Sequence, residues 1–347
     1  MVISVDGVVV ATVAVARTSP GAFTAGETFD LGVDLGSPVA TEYHEKAPFP
    51  LNGVIRDVAI RYGSNQTPSP VPSVNPTTAC LTNLSARGFV PAGGGLYSGF
   101  IARGTGTKRL LLRAAGPGLA AFGLATGLPD PKLELSAPAV SGPLLSNDNW
   151  LAADSAAIAA VGAFPFATGS RDAALTAALT VPGRANYTVS VTATSPTAAG
   201  LVLAEIFDAD GPGAPVRLIN GSTLGFVGPA ENALSAGFVI AGTGTKRLLV
   251  RAVGPGLAGL GVPGLLADPQ LAVHALDAAS ALASNNDWAG TAELKAAATA
   301  AGAFTIPDAG RDAAVLVTLP PGTYSVLVTG VGNTTGNALV ELYDLDP

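Results

Sequence analysis

Short apolar runs separated by turn-forming residues recur along most of the chain. Near the C-terminus, residues 313–319 (AAVLVTL), 324–329 (YSVLVT) and 337–343 (NALVELY) are rich in β-branched and aromatic side chains, and Pro320-Pro321-Gly322 divides the first two. That length and punctuation predict β-strands. Residues 236–240 and 246–253 (KRLLVRAV) predict two more, and the Gly-Thr-Gly-Thr between them reads as a hairpin loop. The only helical candidates are 154–161 and 291–301. Both are alanine-rich and short, and each runs into a Gly-Ala-Phe whose glycine suits a helix C-terminus. Short strands at regular spacing with one accessory helix predict an antiparallel β-sandwich.

The pattern occurs twice. Residues 99–119 read GFIARGTGTKRLLLRAAGPGL and residues 237–257 read GFVIAGTGTKRLLVRAVGPGL, identical at 16 of 21 positions. Further matches follow in the same order: Asp130-Pro131 with Asp268-Pro269, NDNW ending at Trp150 with NNDW ending at Trp288, and Arg171-Asp172 with Arg311-Asp312. The series closes with Glu205-Ile206-Phe207-Asp208 against Glu341-Leu342-Tyr343-Asp344. The period is far longer than the 20–50 residues of a solenoid, so each copy reads as a domain. The expected organisation is a small N-terminal β-segment (1–63), a Pro-rich linker (64–79) and two homologous β-sandwich domains in tandem (80–210 and 211–347). Val8-Val9-Val10 and Val13-Ala14-Val15 give the N-terminal segment more apolar face than it can bury alone, so it should pack on a repeat or on a second chain.

Composition narrows the function classes. Of 347 residues, 12% are charged and 48% hydrophobic, with 43 glycines and 27 prolines, so the chain folds but has little room for long helices. A net charge of −7 with no basic cluster argues against nucleic acid. The most apolar window, 248–267, contains Arg251, Pro255 and Pro263, which excludes a membrane-spanning helix there. One cysteine, Cys80, permits no internal disulfide, and the two histidines, His44 and His274, leave little histidine chemistry. The first residues lack the basic start and apolar core of a signal peptide, so the chain is expected to be cytoplasmic or an internal piece of a longer exported protein. The second reading is favoured, for an extracellular or cell-surface location.

Two resemblances bear on this. Thr18-x-Pro20, Phe23, Glu27-x-Phe29-Asp30-x-Gly32-x-Asp34-x-Gly36-Ser37-Pro38-Val39, Tyr43, Phe49 and Gly53-x-Ile55 resemble the C-terminal auxiliary β-region of bacterial arylsulfatases. The sulfatase signature, cysteine then Pro or Ala then Arg, is absent, because Cys80 is followed by Leu-Thr-Asn-Leu. The resemblance therefore implies a shared β-piece and not sulfate ester hydrolysis. Residues 81–346, through LTNLSARG, KRLLxRAxGPGL, the Asn/Asp-Trp turn and ALVELYD, resemble an uncharacterised repeat of large exported proteins of environmental bacteria. They are similar also to bacterial pre-peptidase C-terminal domains, secreted β-sandwiches of which some bind calcium.

Candidate chemistry is sparse. Gly104-Thr-Gly-Thr-Lys108 and Gly242-Thr-Gly-Thr-Lys246 imitate a phosphate loop, but Thr precedes the lysine and a strand follows where a helix is required. Arg113 and Arg251 sit mid-strand between apolar neighbours. Buried, each should meet a carboxylate, and the nearest repeated acids are Asp130/Asp268 and Asp172/Asp312. Asn147, Asp148 and Asn149, with Asn285, Asn286 and Asp287, offer clustered oxygens for a calcium ion; the alternative is an Asx turn bonded to its own backbone. Trp150 and Trp288 are either sugar-stacking platforms or core caps. No GxSxG elbow occurs, and the first acids to inspect for paired-carboxylate hydrolysis are Glu205, Asp208, Glu341 and Asp344, although strand-end acids are usually only solvated. The expected function is a non-catalytic surface module for spacing, attachment or ligand binding, with no cofactor apart from the calcium just considered. The alternatives are a glycoside or ester hydrolase with acids in an inter-repeat cleft, and a carbohydrate-binding module. Polysaccharide, or a second copy through the N-terminal β-segment, are the partners this leaves open.

Overall fold

The computed structural model describes residues 2–5, 8–12, 78–276, 278 and 280–347, and the chain divides into two compact units, Met1–Pro70 and Val71–Pro347. In the first unit, β1 (Val2–Val5) and β2 (Val8–Thr12) pair antiparallel. The sulfatase-like motif residues, Val13-Ala14-Val15, His44 and the linker up to residue 77 lie outside the described residues.

The second unit is mostly β and mostly antiparallel. The first repeat contributes β3 (Cys80–Val90), β4 (Gly95–Ala115), β5 (Pro131–Ser136), β6 (Leu145–Asn147), helix α1 (Ser155–Ala160), β7 (Ala173–Ala193) and β8 (Gly200–Asp208). The second contributes β9 (Arg217–Val227), β10 (Leu234–Ala241), β11 (Lys246–Val253), β12 (Pro269–Ala275), β13 (Ala283–Asn285), helix α2 (Ala292–Ala301), β14 (Ala313–Leu319), β15 (Gly322–Gly330) and β16 (Gly336–Asp344). The apolar runs become strands because alternate residues face the core: β15 buries Tyr324, Val326 and Val328 and leaves Ser325, Leu327 and Thr329 half-covered. Both helices form where the alanine content predicts them. Thr291 caps α2 by accepting from the Leu294 N–H, and Gly302 ends it in the left-handed conformation.

The strands connect in two series. One runs β6-β5-β7-β4-β9-β16-β11-β14, the other β13-β12-β15-β10-β3-β8-β4-β7. Each series takes four neighbours from each repeat, in mirrored order. Strands β4 and β7 serve both series because they are long. β4 pairs with β9 over residues 97–103 and with β8 over residues 110–115. At the two junctions the same positions meet in exchanged roles, Gly99 opposite Ser222 and Gly237 opposite Ser85. The repeats are thus related by an approximate two-fold, and the first strand of each lies between the last strand of its own repeat and the second strand of the other. The line between residues 210 and 211 separates sequence copies, while one compact unit and one main apolar core draw on both.

This strand order corrects the hairpin reading of Gly-Thr-Gly-Thr. In the first repeat, residues 104–107 lie inside the continuous strand β4. In the second repeat they separate β10 from β11, which share no ladder: β10 pairs with β15 and β3, and β11 with β14 and β16. The segment carries the chain from one series to the other. Gly104 has φ +126°, and a Cβ there would lie 2.1 Å from the Pro215 carbonyl oxygen, so only glycine fits the crossing.

Candidate functional site

The charged groups of the repeats converge on two buried centres, one per repeat. Arg113 on β4 stands opposite Glu205 on β8, and Arg251 on β11 opposite Glu341 on β16. Both guanidinium groups are inaccessible to solvent. Arg251 donates from Nε to Glu341 Oε2 at 2.8 Å and from Nη1 to the Phe304 carbonyl at 2.7 Å. Arg113 donates from Nη1 to the Phe164 carbonyl at 2.8 Å, and its Nε lies 3.3 Å from Glu205 Oε2. The arginines are ion-paired as the strand pattern requires, but not with the acids nearest in sequence. Cross-strand register selects the glutamates, because pairing between adjacent strands outranks chain proximity.

The other repeated acids have different work. Asp172 Oδ1 accepts from the N–H groups of Gly116 and Gly118, and Asp312 Oδ1 from those of Gly254 and Gly256. Each aspartate therefore clasps a Gly-Pro-Gly turn. The first glycine is required by close approach, since a Cβ on Gly116 would lie 2.0 Å from the Leu128 carbonyl oxygen, and one on Gly254 2.2 Å from that of Leu266. Asp130 and Asp268 meet Arg171 and Arg311 near the surface at 2.8 and 2.9 Å.

Strand-end acids, read from sequence as only solvated, are buried instead. Asp208 Oδ2 lies 2.6 Å from the Nζ of Lys108, and Asp344 Oδ2 2.8 Å from that of Lys246. Both lysines are fully buried, and Lys108 also donates to the Val216 carbonyl. Sequence reasoning missed these two lysines as structural cations. The signal was present in the duplicated Thr-Lys and the duplicated Glu-x-x-Asp at the strand end. Burial pushes the Asp208 and Asp344 carboxyls up, and the lysine hydrogen bonds oppose that shift.

The two centres differ at three positions. Tyr343 donates its hydroxyl to Glu341 Oε1 at 2.6 Å, whereas the first repeat has Phe207 there. Arg113 Nε and Nη2 and Glu205 Oε2 are buried without a hydrogen-bond partner. Burial, only partly opposed by Arg113, pushes the Glu205 carboxyl up to about 7. The second difference is Phe166, whose counterpart is Ile306. Arg113 is sandwiched by Phe164 and Phe166, its guanidinium carbon 4.3 and 4.0 Å from their centroids; Arg251 has Phe304 at 4.6 Å and Tyr343 at 5.8 Å. The third is Ser170, which donates to Asp172 Oδ2 and accepts from Trp150 Nε1; Gly310 stands in its place, and Asp312 Oδ2 is buried without a partner.

The tryptophans belong to satellite clusters. Trp288 is buried with Val253, Leu257 and Ile306 and donates to the Pro307 carbonyl; Trp150 is partly buried against Phe166. The Asn/Asp turns are built on their first residue. Asn147 donates to the Asn149 carbonyl and accepts from the Ala174 N–H, and Asn285 does the same with Asp287 and Ala314. Asn286 reaches Asp287 at 3.3 Å. The amide nitrogen closes the turn and the amide oxygen ties it to β7 or β14, so both ends of the first amide are committed. Among the described residues, no three His, Cys, Asp or Glu side chains come together around a common point that could hold a metal.

Glu205, Asp208, Glu341 and Asp344 are therefore each bound to their own cation and hidden from solvent. Glycoside hydrolysis needs two carboxyls facing one substrate bond, one protonated and one ionised. Neither repeat presents these acids in that way. The class that fold and site define is a duplicated, interlocked β-module whose buried charges serve the framework. No model of a known protein family matches the chain, and no curated protein does. Among solved structures, it is similar to the tandem CBM51 modules of the family 98 glycoside hydrolase from Streptococcus pneumoniae SP3-BS71. That match has 10% identity and a TM-score of 0.21, over 74% of this chain and 83% of that one.

Proposed function

We propose that the chain is a non-catalytic β-module that spaces, attaches or presents other parts of an extracellular or cell-surface protein. The observation that carries this reading is the use of its buried charge. Arg113, Arg251, Lys108 and Lys246 each neutralise the repeated acid opposite, so the acids first suspected of catalysis are spent on holding strands together. Breaking such a pair leaves an uncompensated buried charge, at a cost of about 3–5 kcal/mol. The continuity of both sheets across the repeats supports the same role, because a tandem pair that shares sheets transmits load as one body. A further feature supports an exported setting: the resemblance of residues 81–346 to repeats of exported proteins.

A screen on chromogenic glycosides and esters tests the reading. Turnover at the level of buffer, unchanged in Glu205→Gln and Glu341→Gln, is the expected result. Wild-type turnover above buffer that either substitution abolishes at a temperature where the variant is still folded would overturn it in favour of a hydrolase.

A further inference from the structure

The Lys108–Asp208 contact in the first repeat places an amine against a carboxyl in a site closed to solvent. Lys108 Nζ lies 2.6 Å from Asp208 Oδ2, and the two side chains are 0% and 2% exposed. The amine is aimed by its hydrogen bond to the Val216 carbonyl at 2.8 Å. The other carboxyl oxygen, Asp208 Oδ1, accepts from the Asp210 N–H at 2.9 Å. A third group completes the cluster: Asp210 Oδ2 lies 3.5 Å from Lys108 Nζ, on a side chain 9% exposed. The second repeat departs at this last point. Lys246 Nζ lies 2.8 Å from Asp344 Oδ2, and the Asp346 N–H donates to Asp344 Oδ1, but Asp346 meets Lys246 through its backbone carbonyl.

We infer that Lys108 and Asp208 condense to an amide cross-link between β4 and β8, with Asp210 as proton carrier, while Lys246 and Asp344 stay an ion pair. Lys108 Nζ bonds to Asp208 Cγ, and the Cγ–Oδ2 bond breaks. Two of the three ammonium protons pass to the departing oxygen, the first by way of Asp210 Oδ2, and it leaves as water. The charges cancel, nothing is oxidised or reduced, and no co-reactant is needed. Fixed contact between the two groups replaces a bimolecular encounter. The Asp210 N–H faces the oxygen that turns negative as the amine adds. Burial pushes the Asp208 carboxyl up, toward the neutral acid that an amine attacks, although the hydrogen bonds from Lys108 and the Asp210 N–H oppose that shift. Burial acts on Asp210 in the same sense, but hydrogen bonds from Arg109 outweigh it and keep this carboxyl below its ordinary range, as a proton acceptor. The product replaces two buried charges by a neutral amide whose remaining N–H keeps the Val216 carbonyl as acceptor. Removing both members of a buried ion pair is often neutral or stabilising.

The test is the intact mass of the full chain, followed by peptide mapping. The wild type should weigh one water less than its sequence. After denaturation, trypsin should fail to cut beyond Lys108 and should release residues 104–109 joined to residues 185–217, the peptides that contain Lys108 and Asp208. Lys108→Arg and Asp208→Ala should each restore the full mass, and Asp210→Asn should leave most chains uncondensed. The inference is overturned if the wild type has its full mass. It is overturned also if the missing water lies within one linear peptide, where a succinimide at Asp210-Gly211 would place it. A second joined peptide through Lys246 and Asp344, or complete cross-linking in Asp210→Asn, would overturn the part given to Asp210. The mass and map of the wild type decide the bond itself even if a variant does not fold.

Discussion

Phe207→Tyr should move the first buried centre toward the state of the second. Tyr343 follows Glu341 by two residues on one strand and donates to it at 2.6 Å; Phe207 follows Glu205 in the same way and carries no hydroxyl. In the wild type, burial holds the Glu205 carboxyl at about 7, against an ordinary value of 4.5. The folded state therefore keeps a proton that the unfolded chain has already released. This contribution to stability is fully present below pH 4.5 and is lost as pH rises through 7. At 1.36 kcal/mol per pH unit, the loss is roughly 3 kcal/mol. An added phenolic donor favours the ionised carboxylate, and a hydrogen bond to a charged group contributes about 1.5–3 kcal/mol against about 1 for a neutral one. Phe207→Tyr should thus stabilise the protein more at pH 8 than at pH 4 and flatten the decline between them. Urea unfolding of both proteins at four pH values reads this directly. A variant equally stabilised, or equally destabilised, at pH 4 and pH 8 would refute the assignment of that slope to Glu205.

Other outcomes follow from the same geometry. Lys108→Met removes the cation facing Asp208 and should cost about 3–5 kcal/mol, read as a lowered urea midpoint. Ser170→Ala removes the donor to Asp172 Oδ2, leaving that oxygen as unpaired as Asp312 Oδ2, and should cost about 1–3 kcal/mol in the same assay. A protease site placed at the exposed Pro212-Gly213 and cleaved should leave the halves together on size exclusion, because β4–β9 and β10–β3 ladders cross the cut; separation without denaturant would contradict the shared sheets. Melting curves in calcium and in chelator should coincide, since Asn147 and Asn285 spend both amide ends on backbone; a large shift would show that the turns take up the ion.

What the amino-acid order determines here is local. Period-two burial in 324–329 and the punctuation at Pro320-Pro321-Gly322 specify strands, because side-chain alternation and turn residues act over a few neighbours. Thr291 and Gly302 specify the ends of α2 for the same reason. Duplication of Arg113 and Arg251 amid apolar residues demands buried partners, which desolvation alone dictates. Which acids answer that demand is a matter of register. Asp172 and Asp312 are nearer in sequence, yet Glu205 and Glu341 stand opposite on the adjoining strands, and no linear spacing encodes that opposition. The same holds for the joining of the repeats through their first strands. Residues 104–107 and 242–245 look like hairpin loops because Gly-Thr-Gly-Thr satisfies local turn chemistry equally well in a crossing. Only the competition among all strands for neighbours settles which edge each one joins, and it joins β3 to β10 and β9 to β4.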